Sequence, residues 1–271
     1  MLYTGICVLS VLLAVVLTVV SGALWVLPVA LVGSFLALVV LAFLLLWLVC
    51  AFVDLEKPQE HDSKFYRFVL NLIVQALPKL LRVRIHTQGL DRLPQDGRFL
   101  LVCNHLSDAD PVVLLHAFPK AQLAFISKKE NRDMFLVGKM MHKIMCQMID
   151  RENDREALKT IIKCVHLIKE DEVSVAVFPE GYTSRDGKLH RFRAGVFKIA
   201  MKTQVPIVVC TVKNTRQIFE NLPKLKATDV ELHLVGVIPA EETQGTTAIA
   251  IADRAYSMML DDLGPDYAPA E

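Results

Sequence analysis

The first charged side chain in this 271-residue chain is Asp54. Residues 1–53 contain no Lys, Arg, Asp or Glu, so they cannot supply the polar face that a soluble helix shows to water. The run divides into two apolar stretches, 2–20 and 29–53, separated by Ser21-Gly22-Ala23-Leu24-Trp25-Val26-Leu27-Pro28. A helix rises about 1.5 Å per residue and a bilayer core needs about 20 residues. Each stretch is therefore long enough to span, the second with some tilt. Gly22 and Pro28 suit a break between them, giving a transmembrane helical hairpin. The first stretch has no charged leader and no small-residue cleavage site before polar sequence, which sets it apart from a cleaved signal peptide.

The rest of the chain has an ordinary soluble composition. It holds all 30 Lys and Arg and all 29 Asp and Glu, for a net charge of +1. That balance argues against a nucleic-acid binder working through bulk charge. Disorder, a collagen-like chain and a small disulfide scaffold are excluded as well. The length fits one substantial core. Cys7, Cys50, Cys103, Cys146, Cys164 and Cys210 form no C-x-x-C or zinc-type pair. Several lie in or beside apolar runs, as buried free thiols do, which points to a reducing compartment.

Lys57, Lys64, Arg67, Lys79, Arg82 and Arg84 follow the second stretch. Lys and Arg flanking a span are retained on the cytoplasmic side, so the soluble domain is expected in the cytoplasm, anchored to the cell membrane. Phe65, Phe68, Val69, Leu72, Ile73 and Leu77 recur at helical spacing with cationic flanks. Such a helix either lies in a lipid interface or packs its stripe on the domain core. Pro78 is expected to end or kink it.

Short β-type runs then alternate with helical patterns. The runs are Val83–Thr87, Phe99–Cys103, Leu123–Ser127, Val173–Phe178, Pro206–Val212 and Val230–Val237. Leu158, Ile161, Ile162, Val165 and Ile168 mark one helix, and Phe197–Lys202 and Thr246–Leu260 two more. The expected fold is α/β, a mixed and largely parallel sheet flanked by helices. The expected organisation is a membrane anchor over 1–53, an amphipathic interfacial segment over 54–84, a catalytic domain over 85–263 and a flexible tail over 264–271.

Two loops carry candidate chemistry. Phe99–Cys103 runs into Asn104-His105-Leu106-Ser107-Asp108-Ala109-Asp110-Pro111. Asp110 and Pro111 form a good N-cap and N1 pair for a helix over Val112–Phe118. His105 thus lies just past a strand end, where α/β sheets place their sites. A carboxylate can hold an imidazole in one tautomer while the imidazole takes a proton from an attacking hydroxyl. The second loop, Pro179-Glu180-Gly181-Tyr182-Thr183-Ser184-Arg185-Asp186-Gly187, follows Val173–Phe178. Its backbone N–H groups and Arg185 suit a phosphate or an oxyanion. There is no G-x-S-x-G elbow and no nucleotide P-loop. Cys103 would face away from His105 on the strand, which argues against a thiol nucleophile. His190 follows the second loop and is a further candidate for lining the site.

These blocks resemble the glycerolipid acyltransferase family, in particular bacterial 1-acylglycerol-3-phosphate acyltransferases. Four blocks occur in family order over Val83 to Cys210: Asn104-His105 to Asp110; Ser127-Lys128-Lys129, Gly138 and Ile149-Asp150-Arg151; Phe178-Pro179-Glu180-Gly181 with Ser184-Arg185 and Phe192-Arg193-Ala194-Gly195; and Val205-Pro206-Ile207. The resemblance implies that His105 deprotonates the 2-hydroxyl of lysophosphatidic acid and that Asp110 orients His105. The oxygen attacks the thioester of acyl-CoA or acyl-carrier protein and phosphatidic acid forms. Arg151 would bind the glycerol phosphate, Glu180, Gly181, Ser184 and Arg185 would shape the acceptor site, and Lys128 and Arg193 would contact phosphate or CoA. No cofactor and no metal are implied, and the implied partners are membrane lipid, lysophosphatidic acid and the acyl donor. Two departures stand out. Tyr182 and Thr183 replace the family's Thr and Arg, and Val209 replaces a second Pro. The first keeps open an acyltransferase acting on another lysophospholipid, and the remaining rival is a non-catalytic lipid-binding protein.

Overall fold

Strand side chains alternate between two faces of a sheet. Along Leu100-Leu101-Val102-Cys103 every residue is buried, so both faces need helical cover. The computed structural model describes residues 2–269 and shows that arrangement. Two apolar helices, α1 (Leu2–Ser21) and α2 (Val26–Ala51), open the chain. The helix α3 (Lys64–Leu80) and strand β1 (Val83–Gln88) follow. Next come β2 (Leu100–Cys103), α4 (Asp110–Ala117), β3 (Leu123–Lys128), α5 (Val137–Lys143), β4 (Gln147–Ile149) and α6 (Asp154–Lys169). The chain ends with β5 (Ser174–Val177), α7 (Lys198–Thr203), β6 (Ile207–Lys213), α8 (Arg216–Asn221), β7 (Thr228–Ile238) and α9 (Ala248–Leu263).

The sheet order is β1-β7-β6-β2-β5-β3-β4. All pairings are parallel except β6 with β7. Leu101, Cys103, Ala176, Val208 and Cys210 pack under α3 and α4 on one face. Leu100, Val102, Val175, Val177, Ile207 and Val209 pack under α6, α7 and α9 on the other. Because β2, β3, β5 and β6 run the same way, the loops that leave them gather along one edge of the sheet. That edge receives both candidate loops.

The two apolar helices are long and apolar enough to cross a membrane. They lie against each other, with Ser34 donating to the Ser10 carbonyl at 3.1 Å, and their outer sides are bare: Val20 of α1 is 81% and Val29 of α2 64% exposed. Gly22, at φ 67°, ends α1 in the left-handed conformation that its missing Cβ permits.

Several expectations change in detail. The strand β4 and the helices α5 and α8 had no clear pattern in the sequence. Pro78 is accommodated inside α3, which continues to Leu80. Arg67, counted among the cationic flanks, is buried. It pairs with Asp62 at 2.6 Å and donates to the carbonyls of Leu123 and Ile144. The helix packs Val74 into the core and leaves Phe65 and Phe68 exposed, so its stripe is split between the core and the surface. Of the tail, Pro265–Tyr267 form a 3-10 turn whose Tyr267 carbonyl accepts from Leu189 N–H at 2.7 Å. Residues 270–271 lie outside the described residues.

Candidate active site

The candidate site is built where β2 and β5 end side by side. Asn104 continues the β2–β6 pairing with its side chain: its amide donates to the Val212 carbonyl (3.0 Å), and its oxygen accepts from Val212 N–H (2.7 Å). His105 follows, clear of the strand. Its N–H donates to Glu180 (2.9 Å) and its carbonyl accepts from Ser184 N–H (2.8 Å), so both sides of its peptide are tied to the loop after β5. The ring stacks on Phe178 with centroids 4.1 Å apart.

The Nδ1 atom of His105 lies 2.7 Å from Asp110 Oδ2. A carboxylate in this position only accepts, so Nδ1 carries the proton and the Nε2 lone pair faces the cavity. Asp110 has no exposed surface. Its Oδ2 also accepts from the N–H groups of Leu106 (2.7 Å) and Ser107 (2.9 Å), and its Oδ1 from the hydroxyls of Ser107 (3.3 Å) and Thr215 (2.5 Å). Five donors offset the cost of burying this carboxylate. This corrects the capping role expected for Asp110. The helix α4 begins at Asp110 itself, and the carboxylate reaches back to the loop before it.

A cavity of about 900 Å³ opens in front of His105. One part is polar, with Lys128, Arg151, Arg185, Asp186 and His190. The other is apolar, with Leu115, Phe125, Met140, Met141 and Ile144. Burial, and the like charge of Arg193 nearby, lower the pKa of Arg151. Cations placed to repel each other mark a place that favours an anion.

The other expected residues have different positions. Glu180 is buried beneath the site, its two oxygens accepting from the N–H groups of His105 and His190. Burial raises its pKa against the pull of those donors. Ser184 is buried too, and donates to Asp186 at 2.9 Å. Gly181 adopts φ 81°, and a Cβ there would lie 2.8 Å from Arg193 Nε. Glu180, Gly181, Ser184 and Arg193 thus shape the loop without lining the cavity. His190 lines it and bonds Asp186 at 2.9 Å. Lys188 N–H, followed by His190, holds the Asp186 carboxyl well below the usual range.

Two neighbours of the dyad were not expected beside it: Thr183 was singled out only as a departure from the family pattern, and Thr215 carried no signal. Thr183 places its hydroxyl 3.1 Å from His105 Nε2, and Thr215 reaches Asp110 from the loop after β6. Cys103 is fully buried, and burial pushes its thiol well above the ordinary value. Burial likewise raises Cys146 to about 11 and Cys164 to about 12, and raises Cys210. Iodoacetamide at pH 8 should therefore label these four on the order of 10² times more slowly in the folded protein than in denaturant. Mass spectrometry of the labelled peptides reads this directly, and equal rates would contradict the burial.

Residues 84–213 match the family model described as Acyltransferase. A probable 1-acyl-sn-glycerol-3-phosphate acyltransferase of Mycoplasma pneumoniae is 31% identical over 179 residues, covering 64% of this chain and 64% of that protein. The human 1-acyl-sn-glycerol-3-phosphate acyltransferase alpha is 27% identical over 195 residues, covering 71% of this chain and 68% of the human one. Among solved structures, the 1-acyl-sn-glycerophosphate (LPA) acyltransferase PlsC of Thermotoga maritima shares the fold, with a TM-score of 0.55 and 22% identity over 79% of this chain and 94% of that one.

Proposed function

Residues 84–213 are an Acyltransferase-family domain, and from that premise we propose that the protein transfers an acyl chain from acyl-CoA or acyl-carrier protein to the 2-hydroxyl of lysophosphatidic acid. The observation that carries this reading is His105 Nε2 facing a cavity whose one wall is cationic and whose other is apolar. The acceptor phosphate meets Arg151, with Lys128 and Arg185 beside it, and a guanidinium offers the paired donors a phosphate prefers. The apolar wall takes acyl methylenes.

In the reaction, the acceptor hydroxyl displaces Thr183 from His105 Nε2. Nε2 takes the proton as the oxygen attacks the thioester carbonyl, and Asp110 stabilises the imidazolium. Collapse of the tetrahedral intermediate breaks the C–S bond, and the imidazolium returns the proton to the leaving thiolate. The 1–53 hairpin holds this site at the bilayer, with the domain on the cytoplasmic side where the thiol donor is found.

Purified protein in detergent, given lysophosphatidic acid and palmitoyl- or oleoyl-CoA, should form phosphatidic acid and release one thiol per product. Mass spectrometry and thiol titration check the two together. No product with either donor class would sink the assignment. A second reading, transfer to another lysophospholipid, is favoured by Thr183, a neutral hydroxyl at His105 where the family pattern has Arg. Competition between lysophosphatidic acid and zwitterionic lysolipids separates the two.

A further inference from the structure

The turn between β3 and α5 carries apolar side chains that are left exposed among the described residues. Met134 is 49%, Phe135 67% and Val137 45% exposed. Burying apolar surface of this size is worth far more than leaving it in water, and exposed contiguous apolar patches mark interaction sites.

The turn is also strained. Val137 N–H donates to the Phe135 carbonyl at 2.7 Å, around Leu136 at φ 60°, ψ −47°. This is the positive-φ form of the γ-turn, which side chains seldom adopt. Gly138 closes it, since a Cβ there would lie 1.8 Å from the Arg132 carbonyl. The backbone is thus fixed in a form that presents Phe135 and Val137 outward.

Its place in the fold says what covers it. Arg132 donates to the Leu55 carbonyl at 2.9 Å, four residues beyond the end of α2. The turn, which follows Arg132, is therefore tied to the segment just after the apolar hairpin, whose last residues include Phe52, 83% exposed. On its inner side Met134 lines the cavity before His105.

We infer that the 134–137 turn is a lip of the cavity inserted into the bilayer, over which the lipid acceptor enters sideways from the leaflet. This rests on the membrane placement of the hairpin and on the transfer reaction proposed above. A lipid entering this way keeps its acyl chain among apolar groups throughout, while its headgroup travels along the cationic wall.

The test uses full-length protein in vesicles of phosphatidylcholine and phosphatidylglycerol. In a Cys7→Ser background, Phe135→Cys carries an environment-sensitive nitrobenzoxadiazole label. Blue-shifted emission, quenched by nitroxide-labelled lipid, is expected. Emission of a water-exposed label would overturn the insertion, and so would quenching set by the protein-to-lipid ratio, which indicates a second copy as the cover. For entry, Phe135→Glu with Val137→Gln should cut the rate on long-chain lysophosphatidic acid in vesicles about tenfold or more. The rate on a hexanoyl acceptor dissolved in water should stay within twofold. An equal fall on both acceptors, or on neither, overturns lateral entry. If the unmutated protein acylates neither acceptor, the reaction proposed above has failed, and the fluorescence still decides the insertion.

Discussion

Replacing His105 with Ala should lower the rate of acyl transfer by about 10²–10⁴-fold, the usual contribution of a general base. That corresponds to roughly 3–5 kcal/mol of barrier. Folding should be unchanged, because the ties that shape this loop use the peptide of His105 and not its ring. The N–H still donates to Glu180 and the carbonyl still accepts from Ser184 N–H. The ring's own polar partners are Asp110 and Thr183. Single-turnover kinetics with saturating acceptor, alongside circular dichroism, makes the comparison. A variant within threefold of the parent rate would remove His105 from the chemistry.

Asp110→Asn should act on both rate and stability. Asn has nearly the same shape but offers one accepting oxygen where the carboxylate offers two. Five donors converge on this side chain, so an amide nitrogen must meet some of them head-on. Each donor left without an acceptor costs about 1–3 kcal/mol. The imidazole also loses the partner that fixes its tautomer, a change that costs about 10⁴ in rate where such dyads have been dissected. Denaturant unfolding and kinetics on the same preparation separate the two effects. The double variant His105→Ala, Asp110→Asn should be scarcely slower than either single one, since the two side chains act as a unit. Multiplying losses would mean that Asp110 has a role apart from His105.

The reach of sequence reading follows the range of the interactions. Period-2 and period-3.6 patterns are local, and the six expected strands and the long helices fall where those patterns lie. The His105 loop and the Pro179–Gly187 turn were visible because a strand run leads directly into each. What escaped depended on partners far along the chain. Thr215 reaches Asp110 across 105 residues, and Asn104 joins Val212 across 108. Arg67 looks like a solvated cation until Asp62 and two distant carbonyls appear around it. Glu180 is expected from its motif to shape the acceptor site, and what the motif does not show is that it lies beneath the site, accepting from two backbone N–H groups. Three-residue β4 is too short for any periodicity to register.

The segment from Phe52 to Ser63 joins the hairpin to the domain, and it is laced to the domain along its length. Leu55 accepts from Arg132, the Lys57 carbonyl lies 3.1 Å from His142 Nε2, Gln59 accepts from Lys143, and Ser63 N–H donates to the Lys143 carbonyl. Beyond it, Tyr66 donates to the Val49 carbonyl of α2. A slack tether would let the domain swing and sample many heights above its anchor. This one makes the anchor a pedestal. These bonds fix the altitude of His105 over the hairpin, so under the reaction proposed above a lipid's reactive oxygen would have to come to that level to be acylated. Under that same proposal, how far a hydroxyl stands from the end of its own chain would become a quantity set against the protein's posture.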